Sequence, residues 1–292
     1  MRKYKNILVA VDGSESGENA LLQAFKLAGD ESCRITVVSV VPPYEGEIET
    51  LGIRNIKEAL RKPCDDALAK AEKLAKAERS LFKMVCAEGV IHEQIVDLAN
   101  AENCDVIVMG KRGLGRIERA FVGNVTARVI GHTQRDVLVV PLGATVGWKQ
   151  IILATDGSQY SAAAAERAIV LAQAYGGQLK VISVVDVPAS LFVEAPEAVE
   201  DLVEIATGYV NNVKKQAENA GVKAETFVAK TVVYEAIISL AKEQNGDMIV
   251  MGSHGRTGLK RLLMGSVTEK VISHAPYPVL VIKSAYSSQV DC

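Results

Sequence analysis

The sequence predicts an α/β chain of two tandem doubly wound domains, each built on a five-stranded parallel sheet. Three observations carry this. First, Lys5-Asn6-Ile7-Leu8-Val9-Ala10-Val11-Asp12-Gly13-Ser14 returns as Lys149-Gln150-Ile151-Ile152-Leu153-Ala154-Thr155-Asp156-Gly157-Ser158, at an offset of 144. Second, Asp105-Val106-Ile107-Val108-Met109-Gly110 returns as Asp247-Met248-Ile249-Val250-Met251-Gly252, at an offset of 142, and Val137–Val140 matches Val279–Ile282 at the same offset. A repeat of this length means one structural unit written twice. Third, continuous apolar runs alternate with segments of helical periodicity, as in sheets covered by helices on both faces.

In chain order, Asn6–Val11 is an unbroken apolar run and reads as a buried strand. Ala20, Leu21, Ala24, Phe25, Leu27 and Ala28 then mark one face of a helix. Ile35–Val41 is a second strand. Residues 53–78 are charged and rich in Ala and Leu, a longer helix that Pro63 starts or kinks. Leu81–Cys86 is a weaker, edge-type strand, His92–Glu102 a helix and Asp105–Gly110 a strand. A long loop, a helix over Val125–Ile130 and the strand Val137–Val140 close the unit. The order βαβαβαβαβ implies right-handed crossovers. The domains are then 1–142 and 148–284, with 285–292 a flexible tail. The joint from Leu142 to Gly147 is short, so the halves are expected to pack together.

Composition narrows the function. The 292 residues carry a formal net charge of −2 and only 5% aromatics. Neither a basic surface for nucleic acid nor a base-stacking platform is indicated. The five cysteines form no C-x-x-C pair, and neither a disulfide framework nor a zinc site is expected. No apolar stretch has signal-peptide form or membrane-span length, so the expected location is cytoplasmic, with no membrane partner.

The chemistry concentrates after the fourth strand of the second unit. Gly252, Gly255 and Gly265 are spaced G-x2-G-x9-G, and Ser266 follows where a helix opens. Glycines admit close backbone approach, and a helix N-terminus offers free N–H groups to phosphate. The loop is neither a Walker A motif nor the G-x-G-x-x-G fingerprint. Asp156 stands at the end of the first strand of that unit, where a carboxylate accepts hydrogen bonds from ribose hydroxyls. If that strand is central, the carboxylate and the glycine loop flank one crevice. Ser158 reads as a helix N-cap.

These residues resemble universal stress protein domains, and the whole chain resembles a tandem universal stress protein over about residues 3–284. The resemblance implies a Rossmann-like, adenine-nucleotide-binding type of fold and, through G-x2-G-x9-G-[S/T], the ATP-binding branch of the family. It implies roles residue by residue. Ala154, Thr155 and Asp156 meet the ribose, and Val184 meets adenine through its backbone. Met251, Gly252, His254 and Gly255 line the ribose and phosphates, and Gly265, Ser266, Val267 and Thr268 hold the phosphates.

The first unit departs from the pattern. Asp12, Val40, Gly110, Gly113, Gly123 and Thr126 are in register, but Asn124 replaces the hydroxyl residue and Arg112 stands in the place of His254. A weaker site is expected there. His254 reads as a phosphate contact or an exposed loop residue, without a nucleophile or metal cluster beside it. Lys111, Arg112, Arg116, Arg256, Lys260 and Arg261 read as solvated loop charges. Met264 and Phe121 read as packing residues, and Cys33 and Cys104 as buried or partly buried ones.

The implied ligand is ATP, or ADP or AMP, with Mg²⁺ as a companion of the triphosphate and no metal held by protein alone. The implied role is a stress-response regulator with little or no hydrolysis. The alternative is a slow ATP hydrolase or a nucleotidyl-transferring enzyme on the same fold. The resemblance also implies intramolecular domain pairing through the last strands and allows a homodimer.

Overall fold

The structure is a computed structural model and describes residues 4–28, 33–43, 56–77, 82–113, 122–256 and 264–283. The chain divides into two compact units, the first Tyr4–Ala144 and the second from Thr145 onward. The proposed tail at 285–292 lies outside the described residues.

In the first unit the elements are β1 (Asn6–Ala10), α1 (Glu15–Ala28), β2 (Arg34–Val41), α2 (Ile56–Ala77), β3 (Phe82–Glu88), α3 (Ile91–Ala101), β4 (Val106–Gly110), α4 (Asn124–His132) and β5 (Asp136–Val140). Five parallel strands run in the order β3-β2-β1-β4-β5. The apolar runs became strands because both faces are covered: Ile7, Leu8, Val9, Val106, Ile107 and Val108 are fully buried. β3 ends the order and is only half-buried, which explains its weaker apolar signal.

Two features differ from expectation. α2 runs through Pro63, which neither starts nor ends it. Cys64 on α2 and Cys86 on β3 form a disulfide, with Cα atoms 6.2 Å apart. No motif spacing announces it, because helix packing on a strand creates the pair. Cys33 and Cys104 are both buried, and Cys33 Sγ lies 3.6 Å from the Tyr4 carbonyl oxygen.

The second unit repeats the plan with β6 (Gln150–Ala154), α5 (Gln159–Tyr175), β7 (Gln178–Val184), a short α6 (Leu191–Glu194), α7 (Pro196–Asn219), β8 (Ala224–Ala229), α8 (Val233–Glu243), β9 (Met248–Gly252), α9 (Ser266–His274) and β10 (Val279–Ile282). Its strands are ordered β8-β7-β6-β9-β10 and are likewise parallel. The units share a device at the amino ends of their central strands. Asp105 accepts the N–H of Lys5 and Asn6, and Asp247 accepts that of Gln150. In each unit the first strand is central and the order in which strands are added reverses beside it, between β1 and β4 or β6 and β9. The crevice at the carboxyl ends of such a pair is where ligands bind in open parallel sheets.

Candidate functional site

At the carboxyl ends of β6 and β9 lies a cleft of about 470 Å³. It is lined by all twelve residues selected in the second unit: Ala154, Thr155, Asp156, Val184, Met251, Gly252, His254, Gly255, Gly265, Ser266, Val267 and Thr268. Parallel register brings them together, since Leu153 on β6 lies level with Val250 on β9.

The turn after β6 is fixed by short local bonds. Ser158 caps α5 by accepting the Ser161 N–H at 3.2 Å. Gly157 takes φ +78°, open to glycine at little cost. Asp156 Oδ1 accepts the Ser158 N–H at 3.0 Å, and Oδ2 accepts the Arg256 N–H at 3.0 Å. A carboxylate has about four lone-pair positions, so capacity for a ribose hydroxyl remains.

Close packing within the protein demands glycine at 252 and 255. A Cβ on Gly252 would come within 2.7 Å of the Tyr160 backbone, because the first turn of α5 lies against the end of β9. A Cβ on Gly255 would sit 2.9 Å from Asp156 Oδ2. Gly265 is the less crowded of the three, with its nearest contact 3.3 Å away at His254 Cα. It precedes α9, whose first-turn N–H groups have no intrahelical partners. Thr268 is buried, and its hydroxyl donates to the Gly252 carbonyl at 3.0 Å. It thus ties α9 to β9, while Ser266 presents the hydroxyl at the helix start. His254 is half-buried, with Nδ1 3.1 Å from Ser253 Oγ and its ring tilted over Tyr160 at 5.3 Å.

Sequence reasoning missed one whole wall. Leu202, Ile205 and Ala206 of α7, with Val187, Val233 and Ile237, give the cleft its apolar side. The α7 residues lie about fifty positions from the glycine loop in sequence, and their apolar spacing is that of any helix face. Arg256 also lines the cleft and is not merely a solvated charge: its Nε donates to the Asp156 carbonyl at 2.6 Å.

The first unit has the corresponding cleft, of about 370 Å³, lined by Asp12, Val40, Gly110, Gly113, Gly123, Asn124 and Thr126, and by Arg112. Thr126 repeats the tie of Thr268, donating to the Gly110 carbonyl at 3.2 Å. Asn124 is turned along its own helix, where Oδ1 accepts Arg128 Nε at 3.1 Å. Lys111, expected to be solvated, is half-buried, and burial together with the Arg112 charge lowers its pKa to about 8. Met264 is buried, as its packing role requires. Arg116, Phe121, Lys260 and Arg261 lie outside the described residues.

The Universal stress protein family matches the chain twice, over residues 3–141 and 147–283. The chain belongs to the universal stress protein family. Universal stress protein MJ0531 of Methanocaldococcus jannaschii is 42% identical over 142 residues, covering 47% of this chain and 82% of that protein. The crystal structure of a family member from Archaeoglobus fulgidus superposes with a TM-score of 0.75 at 20% identity, covering 97% of each chain. A structure from Pseudomonas aeruginosa gives 0.64 at 20% identity, covering 96% of this chain and 93% of that one. Both share the fold over nearly the full length. Among the described residues, no helix is long and apolar enough to cross a membrane, and no group of three or more His, Cys, Asp or Glu side chains could hold a metal ion.

Proposed function

We propose that this family member binds an adenine nucleotide, ATP or its di- or monophosphate, in the cleft of the second unit and acts as a stress-response regulator with little or no hydrolysis. The observation that carries the reading is the meeting of three chemistries in one cleft. The N-terminus of α9 with Ser266 suits phosphate oxygens. The Asp156 carboxylate suits ribose hydroxyls. The wall of Val184, Leu202, Ile205 and Ile237 suits a flat, weakly polar base. The cleft volume lies in the range of small-molecule sites. Mg²⁺ would enter with the triphosphate and supply charge neutralisation to its oxygens. The first unit, with Asn124 in place of the hydroxyl, is the weaker site.

The test is mass analysis of nucleotide released when the purified full chain is denatured, together with thermal unfolding in ATP. The expected result is a co-purified adenine nucleotide and a rise of several degrees in the second unit's midpoint. Absence of both would defeat the proposal. Multiple turnovers per minute, lost on Asp156→Ala or His254→Ala, would replace the regulator by an enzyme.

A further inference from the structure

Tyr209 has no part in the nucleotide site proposed above, and Arg256 has no assigned role in it. Arg256 is held at three points. Its backbone N–H donates to Asp156 Oδ2 at 3.0 Å, its Nε donates to the Asp156 carbonyl at 2.6 Å, and its guanidinium lies 4.9 Å from the Tyr209 ring centroid. Tyr209 stands on α7 with its ring against Gly157, so close that a methyl group at 157 would collide with it. A continuous chain of contacts therefore runs from α7 through Tyr209 and Arg256 to Asp156. The glycine loop is anchored to the carboxylate that the nucleotide reading assigns to the ribose. Gly255 makes this possible, since a Cβ there would crowd Asp156 Oδ2.

The first unit is built without these parts. Ala67 takes the place of Tyr209, and its Cβ is 3.6 Å from where a Cβ on Gly13 would stand. Leu114 takes the sequence place of Arg256, with no side-chain donor. The two absences go together, as they should if ring and guanidinium serve one device.

We propose that Tyr209 and Arg256 are positioning residues that latch the glycine loop of the second unit onto Asp156, and that opening this latch limits the release of nucleotide. The proposal rests on the nucleotide reading of the same cleft. An aromatic ring holds a guanidinium by its face, and two hydrogen bonds from Arg256 to one residue fix the loop's direction. A ligand whose ribose and phosphates engage Asp156 and the loop leaves when the two separate, and segment opening commonly sets such rates. The first unit, lacking both side chains, exchanges ligand without this step.

Two measurements on the full chain decide it. Without nucleotide, hydrogen exchange at the Arg256 amide should be slow in the wild type and in Tyr209→Phe, which keeps the ring. It should be about tenfold faster in Tyr209→Ala. With a fluorescent N-methylanthraniloyl-ATP chased by excess ATP, release should be about tenfold faster in Tyr209→Ala, Arg256→Ala and Arg256→Lys. The double variant should release no faster than either alanine variant. Arg256 is exposed, so its variants report even if Tyr209→Ala unfolds. Unchanged exchange and release, a Phe variant as fast as the Ala variant, or multiplicative effects in the double variant would overturn the latch. If the wild type takes up no nucleotide, the proposed function fails, and the exchange measurement alone still decides whether the latch exists.

Discussion

At the scale of residues, Asp156 and Gly255 explain each other. The carboxylate occupies the space a side chain at 255 would need, with Oδ2 2.9 Å from an added Cβ. Gly255→Ala is therefore expected to displace the carboxylate from the Arg256 N–H and shrink the ATP-induced shift in thermal unfolding. Gly113→Ala, the same change in the first unit, should leave that shift intact. Thr268→Val removes a buried hydroxyl and strands the Gly252 carbonyl, which is expected to cost about 1–3 kcal/mol in denaturant unfolding. The spacing of Gly252, Gly255 and Gly265 was legible in the sequence, but its cause was not. The pattern suggested room for a ligand, whereas Gly252 faces the Tyr160 backbone and Gly255 faces Asp156. Such contacts arise only when α5 is laid against β9. Lys111 likewise looked like an ordinary loop charge, and its half-burial follows from the fold around it.

At the scale of elements, the two units solve the same packing problems with different chemistry. Where α8 and α9 of the second unit meet through Tyr234 and His274, α3 and α4 of the first meet through His92 and His132, with ring centroids 4.9 Å apart. Burial holds the His92 pKa below 6.5, helped by His132 and Arg128 and opposed by Glu93. The folded chain thus binds fewer protons at His92 than the unfolded chain. Its contribution to stability is present above about pH 6.5 and is lost as pH falls below that value. The first unit's unfolding midpoint should drop on acidification through this range, and His92→Tyr, the residue of the second unit, should flatten the response.

The Cys64–Cys86 disulfide similarly joins α2 to β3, where the second unit has Ala206 and Val228. With a sequence separation of 22, the link is expected to stabilise the first unit by about 3 kcal/mol. Calorimetry with and without reductant should show that loss in the first transition alone, and Cys64→Ala with Cys86→Val should abolish the difference. Strands and helices were readable element by element, because buried parallel strands are continuously apolar. The cysteine pairing and the apolar wall from α7 were not, since each joins segments that only tertiary packing brings together.

At the scale of the molecule, duplication is the organising fact, and it was legible in the repeated strand ends alone. Each copy keeps a central first strand, an aspartate at its end and a glycine loop beside it, and each has a cleft there. The copies then diverge at a few positions: Ser266 against Asn124, Arg256 against Leu114, Tyr209 against Ala67. Nucleotide binding in the second cleft, as proposed, gives the chain one strong site. Isothermal titration of nucleotide-free full chain with ATP tests this most directly. The expected result is about one strong site per chain, weakened about tenfold or more by Ser266→Asn, which copies the first unit's residue, and unchanged by Asn124→Ala. No binding, or strong binding that survives Ser266→Asn and is lost with Asn124→Ala, would contradict it.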